Sequence, residues 1–237
     1  ALLSIYERSR DWAKATDIAH KLNESGHGSF QGRLAHYLCE QAESTDTPQD
    51  HASKIRLLQQ AIDTAPHAAR APLAMAKVLS ESGQSQAAYD TLKRLAQSAP
   101  TAVPLLAPRL SVLAQELNCI EDALLFLEHL YQQTASLDVL QAIVSLRTAK
   151  GEIGTSAWFG KHLEREPSLV AATQWITNEK FEHQQFHPQV LRALERAAKP
   201  LQRYRCAACG FEATQHFWQC PGCQAWDSYP PKRIEEL

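Results

Sequence analysis

The sequence lacks the features by which most enzymes and membrane-spanning proteins are recognised. It has no uninterrupted run of 18 apolar residues and no signal peptide, so no segment predicts a membrane span. Only nine of its 237 residues are glycine, and none of them forms a phosphate-binding loop. The motifs G-x-S-x-G and H-E-x-x-H are missing, and no pair of acids is placed for acid–base chemistry. The sequence therefore predicts a protein that is not an enzyme.

A strong charge of either sign is also missing. The chain has 24 basic and 26 acidic residues, and from Pro188 to the end seven basic side chains face five acidic ones. This is a mild excess and not the basic stripe by which proteins bind phosphate backbones. Zinc ribbons often bind nucleic acid, but the composition predicts no nucleic-acid partner here.

What the sequence does have is a cluster of four cysteines near its end. Cys206, Cys209, Cys220 and Cys223 follow the pattern C-x2-C-x10-C-x2-C. Two residues between cysteines let one tight turn point both sulfurs inward, and two such turns make a tetrahedral thiolate cage suited to Zn or Fe. Two disulfides or a redox C-x-x-C are the alternatives, but a redox motif normally stands once, at the start of a helix. We predict one structural Fe or Zn ion held by these four cysteines.

The segment that carries the cysteines is too short to fold by burial alone. The segment 201–237 is shorter than roughly 40 residues, the length below which a small domain usually needs a metal or disulfides. Metal binding and folding are therefore expected to be one event. Six aromatic residues would form a small core around the cage, with a partner-binding patch as the alternative use: Tyr204, Phe211, Phe217, Trp218, Trp226 and Tyr229.

The chain before residue 201 is periodic. The spacings between Pro66, Pro100, Pro167 and Pro200 are 34, 67 and 33 residues, which gives a repeat of about 34 residues. We call the residues at the repeat ends stops; Thr134 occupies the stop that has no proline. Apolar residues recur at fixed distances before these stops, eight, four and 24 residues upstream. They are Leu58, Ile62, Leu92, Ala96, Phe126, Leu130, Phe159 and Leu163, then Ala42, Ala76, Leu110, Ile143 and Ile176. This pattern predicts a repeated pair of antiparallel helices.

The boundaries of the helices follow from caps, glycines and prolines. An incomplete first pair and five full pairs are predicted. They are Leu2–Arg8 with Asp11–Leu22, Ser29–Ser44 with Pro48–Thr64, Ala68–Ser82 with Gln84–Ser98, Ala102–Leu117 with Ile120–Gln133, Ser136–Ala149 with Glu152–Arg165, and Ser168–Phe181 with Pro188–Lys199. The fold class is therefore all-α, with an array of helix pairs over residues 1–200 and a small metal-binding module over residues 201–237.

The period of 34 with a closing proline resembles tetratricopeptide repeats, in a degenerate form over residues 2–200. That resemblance implies a solenoid whose concave face binds peptides or protein segments.

The repeat array ends in two motifs, Tyr204-Arg-Cys-x-x-Cys-Gly-Phe and Trp218-x-Cys-Pro-x-Cys-x-Ala-Trp226. In these motifs and in the array before them, the whole chain resembles the lipopolysaccharide assembly protein B family. The resemblance implies a rubredoxin-like tail whose four cysteines bind the metal. It also implies a regulator of lipopolysaccharide synthesis that presents the deacetylase LpxC to the membrane protease FtsH, at the cytoplasmic face of the bacterial inner membrane. Family members carry an N-terminal transmembrane helix, and we expect one to precede Ala1.

One departure from true rubredoxins affects the expected chemistry. Rubredoxins have Gly after both cysteine pairs, whereas Gln224 follows the second pair here. This favours a structural metal over electron transfer. A rubredoxin-type electron carrier and a nucleic-acid-binding ribbon stay open as alternative functions.

Overall fold

The computed structural model describes residues 2–26, 29–44, 50–179 and 184–237. Within these ranges the chain forms twelve α-helices, three short 3₁₀ helices and two strands of two residues each. The helices are α1 Leu2–Ser9, α2 Trp12–Glu24, α3 Gln31–Glu43, α4 His51–Thr64, α5 Arg70–Glu81, α6 Ser85–Ser98, α7 Val103–Glu116, α8 Ile120–Gln133, α9 Leu137–Ala149, α10 Ala157–Leu163, α11 Leu169–Asn178 and α12 His187–Ala198. The antiparallel strands are β1 Tyr204–Arg205 and β2 Glu212–Ala213. The all-α prediction, with a small ribbon at the C-terminus, is confirmed.

Most predicted helix boundaries agree with the structure within three residues. Asp50 caps α4 by accepting a hydrogen bond from the backbone N–H of Ser53 at 3.0 Å, and Gly83 ends the α5 turn with a φ of 79°. The predicted helix start at Pro48 and the predicted helix end at Phe181 lie outside the described residues.

The second helix of the fifth pair is shorter than predicted. The sequence predicts Glu152–Arg165, but α10 spans only Ala157–Leu163. Gly151 and Gly154 both have left-handed backbones, with φ of 86° and 74°, and the Glu152 carboxylate is held by the Arg147 guanidinium at 2.6 Å. These contacts keep the segment before α10 in a turn, so the helix starts late.

The helices form two compact units, Ala1–Ala102 and Val103–Leu237. In the first unit each helix from α1 to α6 packs against the next one, and α3 also contacts α5. In the second unit α7 packs against α9, α10 against α11, and α11 against α12. The cysteine module belongs to the second unit. No helix of the described residues is long and apolar enough to span a bilayer.

The repeated apolar positions form much of the core. Of the five positions 24 residues before the stops, four are buried, namely Ala42, Ala76, Leu110 and Ile143. Phe126, which the register places in the core, is only half buried, and the neighbouring Leu127 is fully buried instead. The register of α8 is therefore rotated slightly from the predicted one.

Candidate metal centre

The first cysteine turn directly follows β1. Cys206 donates its backbone N–H to the carbonyl of Phe211 at 2.9 Å, and its own carbonyl accepts from the N–H of Gly210 at 2.8 Å. Gly210 has a φ of 77°, a left-handed conformation that costs glycine little. This closed turn leaves Cys206 buried and Cys209 exposed.

The second turn repeats the hydrogen bonds of the first. Cys220 donates its N–H to the carbonyl of Ala225 at 2.9 Å and accepts from the N–H of Gln224 at 2.8 Å. Gln224 has a φ of 61°, so it takes the same left-handed conformation as Gly210 although it carries a Cβ. The glutamine therefore leaves the path of the backbone around Cys220 and Cys223 unchanged.

The two turns bring the four sulfurs together. The Sγ atoms of Cys206 and Cys223 are 3.8 Å apart, those of Cys209 and Cys220 are 3.7 Å apart, and all four lie within 4.8 Å of one another. All four are free thiols. Four sulfurs at about 2.3 Å from a central ion would form a tetrahedron with edges of about 3.8 Å. The donor set and its spacing thus fit one Zn or Fe ion.

Nearby hydrogen bonds favour the thiolate form of the buried cysteines. Burial by itself raises the pKa of Cys206, but the hydroxyl of Ser228, 3.2 Å from its sulfur, and the backbone N–H groups of Cys209 and Ala208 lower that pKa to about 6. The pKa of Cys220 is also lowered, because backbone N–H bonds outweigh its burial. Thiolates are the form that binds Zn or Fe.

A cage of four thiolates is difficult to ionise without a cation. For Cys209, a hydrogen bond from the backbone of Phe211 lowers the pKa, but burial and the neighbouring cysteine side chains outweigh it and raise the pKa to about 12. A bound dication would remove this repulsion. The arrangement is therefore suited to metal binding coupled to proton release.

Aromatic side chains support the cage from behind. The buried residues Tyr204 and Tyr229 cluster with Cys206 and Cys220. His216 packs edge-on against Tyr204, with ring centroids 5.5 Å apart, and its Nε2 is 3.0 Å from the carbonyl oxygen of Tyr229. Because burial lowers the pKa of His216, the neutral ring donates this hydrogen bond. Three of the six aromatic residues, Tyr204, Phe217 and Tyr229, therefore form a small core around the cage, and Phe211 is exposed.

The last residues of the chain join the module to α9. Arg233 makes two hydrogen bonds to the carboxylate of Asp138, at 2.8 and 3.1 Å, and its guanidinium lies 4.2 Å from the centre of the Tyr204 ring. The carboxylate of Glu236 accepts from the backbone N–H of Leu137, the first residue of α9, at 2.9 Å. The module therefore supplies a cap for this helix.

A second carboxylate caps α11 in the same way. Glu235 accepts hydrogen bonds from the backbone N–H groups of Leu169 and Val170 and from the hydroxyl of Ser168 at 2.7 Å. Negative charge at a helix N-terminus is stabilised by the helix dipole. We call Arg233, Glu235 and Glu236 the C-terminal clamp. The sequence does not predict this clamp, because a Glu-Glu pair near a chain end does not indicate which helix it will cap.

Together these features define a class of protein: an array of helix pairs that ends in a rubredoxin-like four-cysteine ribbon. Residues 204–231 match the family model described as the rubredoxin metal binding domain. The chain is similar to lipopolysaccharide assembly protein B of Escherichia coli K12, at 25% identity over 98% of its length, and to that of Haemophilus influenzae, at 27% identity over 99%. The predicted resemblance to the lipopolysaccharide assembly protein B family is confirmed. The chain spans 61% of the length of these relatives.

Two solved structures have a similar arrangement of helices. The crystal structure of the MamA protein has a TM-score of 0.45 and 16% identity, covering 69% of this chain and 87% of that one. A tetratricopeptide repeat protein from Parabacteroides merdae has a TM-score of 0.46 and 10% identity, covering 83% of this chain and 73% of that one.

Proposed function

We propose that this chain is part of a non-enzymatic adaptor that regulates lipopolysaccharide biosynthesis and presents LpxC to FtsH at the cytoplasmic face of the inner membrane. The observation that supports this most is the similarity to lipopolysaccharide assembly protein B, which extends through the helical part as well as the cysteine ribbon. Helix-pair arrays with exposed faces are surfaces for protein segments. Partner binding, and not catalysis, is the role that these parts suit.

Within this adaptor we assign Cys206, Cys209, Cys220 and Cys223 as the ligands of one Fe or Zn ion. The sulfur spacing and the lowered pKa of Cys206 and Cys220 support the assignment. The ion would supply a cross-link between the two turns. The chain connects this cross-link to the C-terminal clamp, because Cys206 directly follows β1 and Tyr204 of β1 packs against Arg233.

An electron carrier of the rubredoxin type is the second candidate. Two observations favour it: Cys209 and Cys223 are exposed, and Gln224 keeps the backbone conformation of Gly210. An iron-loaded protein with a reversible reduction would support this function, and a zinc-only protein would exclude it. The nucleic-acid-binding ribbon gains no support, since Arg205 is paired with Glu212.

The adaptor function is tested by titrating purified FtsH and LpxC against the wild-type chain and Cys206→Ser, with metal analysis of each sample. We expect one ion per wild-type chain, loss of the ion in the variant, and loss of binding to at least one partner. Cys119→Ser is the matched control, because Cys119 is a free thiol outside the cluster. Failure of the wild-type protein to bind either partner would refute the adaptor role, whereas metal retained by Cys206→Ser would refute the ligand assignment.

A further inference from the structure

A groove opens on the first unit between α4, α5 and α6. Its volume is about 380 Å³, within the roughly 300–1,000 Å³ of pockets that bind ligands. Its two sides are the second helices of successive pairs, α4 and α6. The first helix of the later pair, α5, forms its floor, so the groove opens on the side of the array that the second helices line.

The groove is mainly apolar. Ile55 and Ile62 on α4 are half buried, and Met75 on α5 and Leu95 on α6 lie beneath with 5% and 2% of their surface exposed. None of the described residues that line the groove is acidic. Covering such a surface with apolar side chains of another molecule would be favourable.

Among the described residues of this apolar lining, Arg94 is the one cationic side chain. Arg94 on α6 is exposed, and its Nη2 donates a hydrogen bond to the hydroxyl of Thr91 at 3.3 Å. Among the residues that the structure describes, Arg94 has no carboxylate within ion-pairing distance. Its guanidinium can form a forked pair of hydrogen bonds with a carboxylate, which a lysine or a hydroxyl cannot match.

We propose that this groove binds an amphipathic protein segment. Two or three aliphatic side chains of that segment would pack against Met75 and its neighbours, and one of its carboxylates would pair with Arg94. The charge complementarity selects an acidic segment over a neutral or basic one. Apolar anchors beside a single charged contact are the usual means by which a groove binds a helical segment.

The chain offers a reporter for this site, because Met75 is its only methionine. Protein labelled with carbon-13 in the methionine methyl group is titrated with two matched helical peptides that share a leucine stripe. They differ only in a Glu or a Lys beside that stripe. We expect the acidic peptide to shift the Met75 signal saturably and to bind about tenfold more tightly than the basic one.

Arg94→Glu should reverse this preference without affecting the fold, since Arg94 is exposed. Lys77→Glu is the control: it makes the same change of charge on the exposed side of α5, outside the groove, and should leave the preference unaltered. A Met75 signal that neither peptide shifts would overturn the proposal. So would a preference that survives Arg94→Glu, or self-association in sedimentation that Arg94→Glu abolishes, which would make a second copy the occupant.

Discussion

The contact between Arg233 and Asp138 offers the sharpest test of how the cysteine module is held. The Asp138 side chain is 5% exposed and lies in the first turn of α9, whereas the Arg233 side chain is 25% exposed. Arg233 also donates to the carbonyl of Gln202 at 2.9 Å and stacks on Tyr204. Removing the negative charge would therefore leave a largely enclosed guanidinium without its partner.

Asp138→Asn is expected to lower the free energy of unfolding by about 2–3 kcal/mol. Breaking a fully buried pair costs about 3–5 kcal/mol, and the partial exposure of Arg233 reduces this because water screens the charge that is left. Arg233→Met should cost a similar amount, since it loses the same pair and the contact with Tyr204. The double variant should be at most about 1 kcal/mol less stable than either single variant, because both changes remove the same interaction.

The assay is chemical denaturation of metal-loaded protein followed by two signals, helix content and metal release. We expect metal release at lower denaturant in each single variant. The control is the same double-mutant cycle on Arg205 and Glu212, a pair within the module whose side chains are 47% and 32% exposed. Their coupling should stay below about 1 kcal/mol because water screens the pair. A coupling between Arg233 and Asp138 below about 0.5 kcal/mol would refute the role of this contact.

Three further predictions concern the turns, the acid response and the helical core. Gln224→Gly should stabilise the metal-bound module by about 1 kcal/mol, and Gly210→Gln should destabilise it by a similar amount. The reason is that a residue with a Cβ loses about this much free energy in the left-handed conformation. Competition with a chelator for the metal measures both effects. Burial lowers the pKa of His216 in the folded protein below its ordinary value of 6.5. As the pH falls, His216 is therefore protonated in the unfolded chain before it is protonated in the folded one. The stability that His216 contributes above pH 6.5 is lost as the pH falls through its folded-state pKa. His216→Gln should weaken this dependence in thermal melts at saturating metal. Leu92→Ala should lower the free energy of unfolding by about 2–5 kcal/mol, and Phe126→Ala should lower it less because Phe126 is half buried. Equal losses in the two variants would support the register of α8 that the sequence predicts.

The parts of the fold that the sequence predicts well are those set by local signals. The positions of Pro66, Pro100 and Pro200 depend on backbone chemistry that operates within a few residues, and each stands two residues beyond a helix end. The cysteine cage is predicted for the same reason, because a C-x2-C turn is closed by neighbours in the chain. Local signals misled us at α10, where Gly154 and the pair between Glu152 and Arg147 delay the helix.

Long-range contacts are the parts that the sequence does not reveal. Arg233 and Asp138 are 95 residues apart, and nothing near either residue indicates the other. Gln224 shows a different limit: its departure from glycine suggests a changed turn, but the hydrogen bond from its N–H to Cys220 holds it in the glycine-like conformation. The closed hydrogen-bonded turn overrides the intrinsic backbone preference of a residue that carries a Cβ.

The C-terminal clamp would make the helices depend on a metal bound in the ribbon. The backbone N–H groups at the starts of α9 and α11 have Glu236 and Glu235 as acceptors, and those residues keep their places only while the ribbon is folded. Because a ribbon of 37 residues is expected to fold with its metal, loss of the ion would remove both carboxylate caps. The start of α11 would keep its own cap, the Ser168 hydroxyl oxygen that accepts from the N–H of Ala171 at 2.8 Å, whereas no side chain within α9 caps its start. A protein surface that includes α9 or α11 would then respond to the metal without touching it.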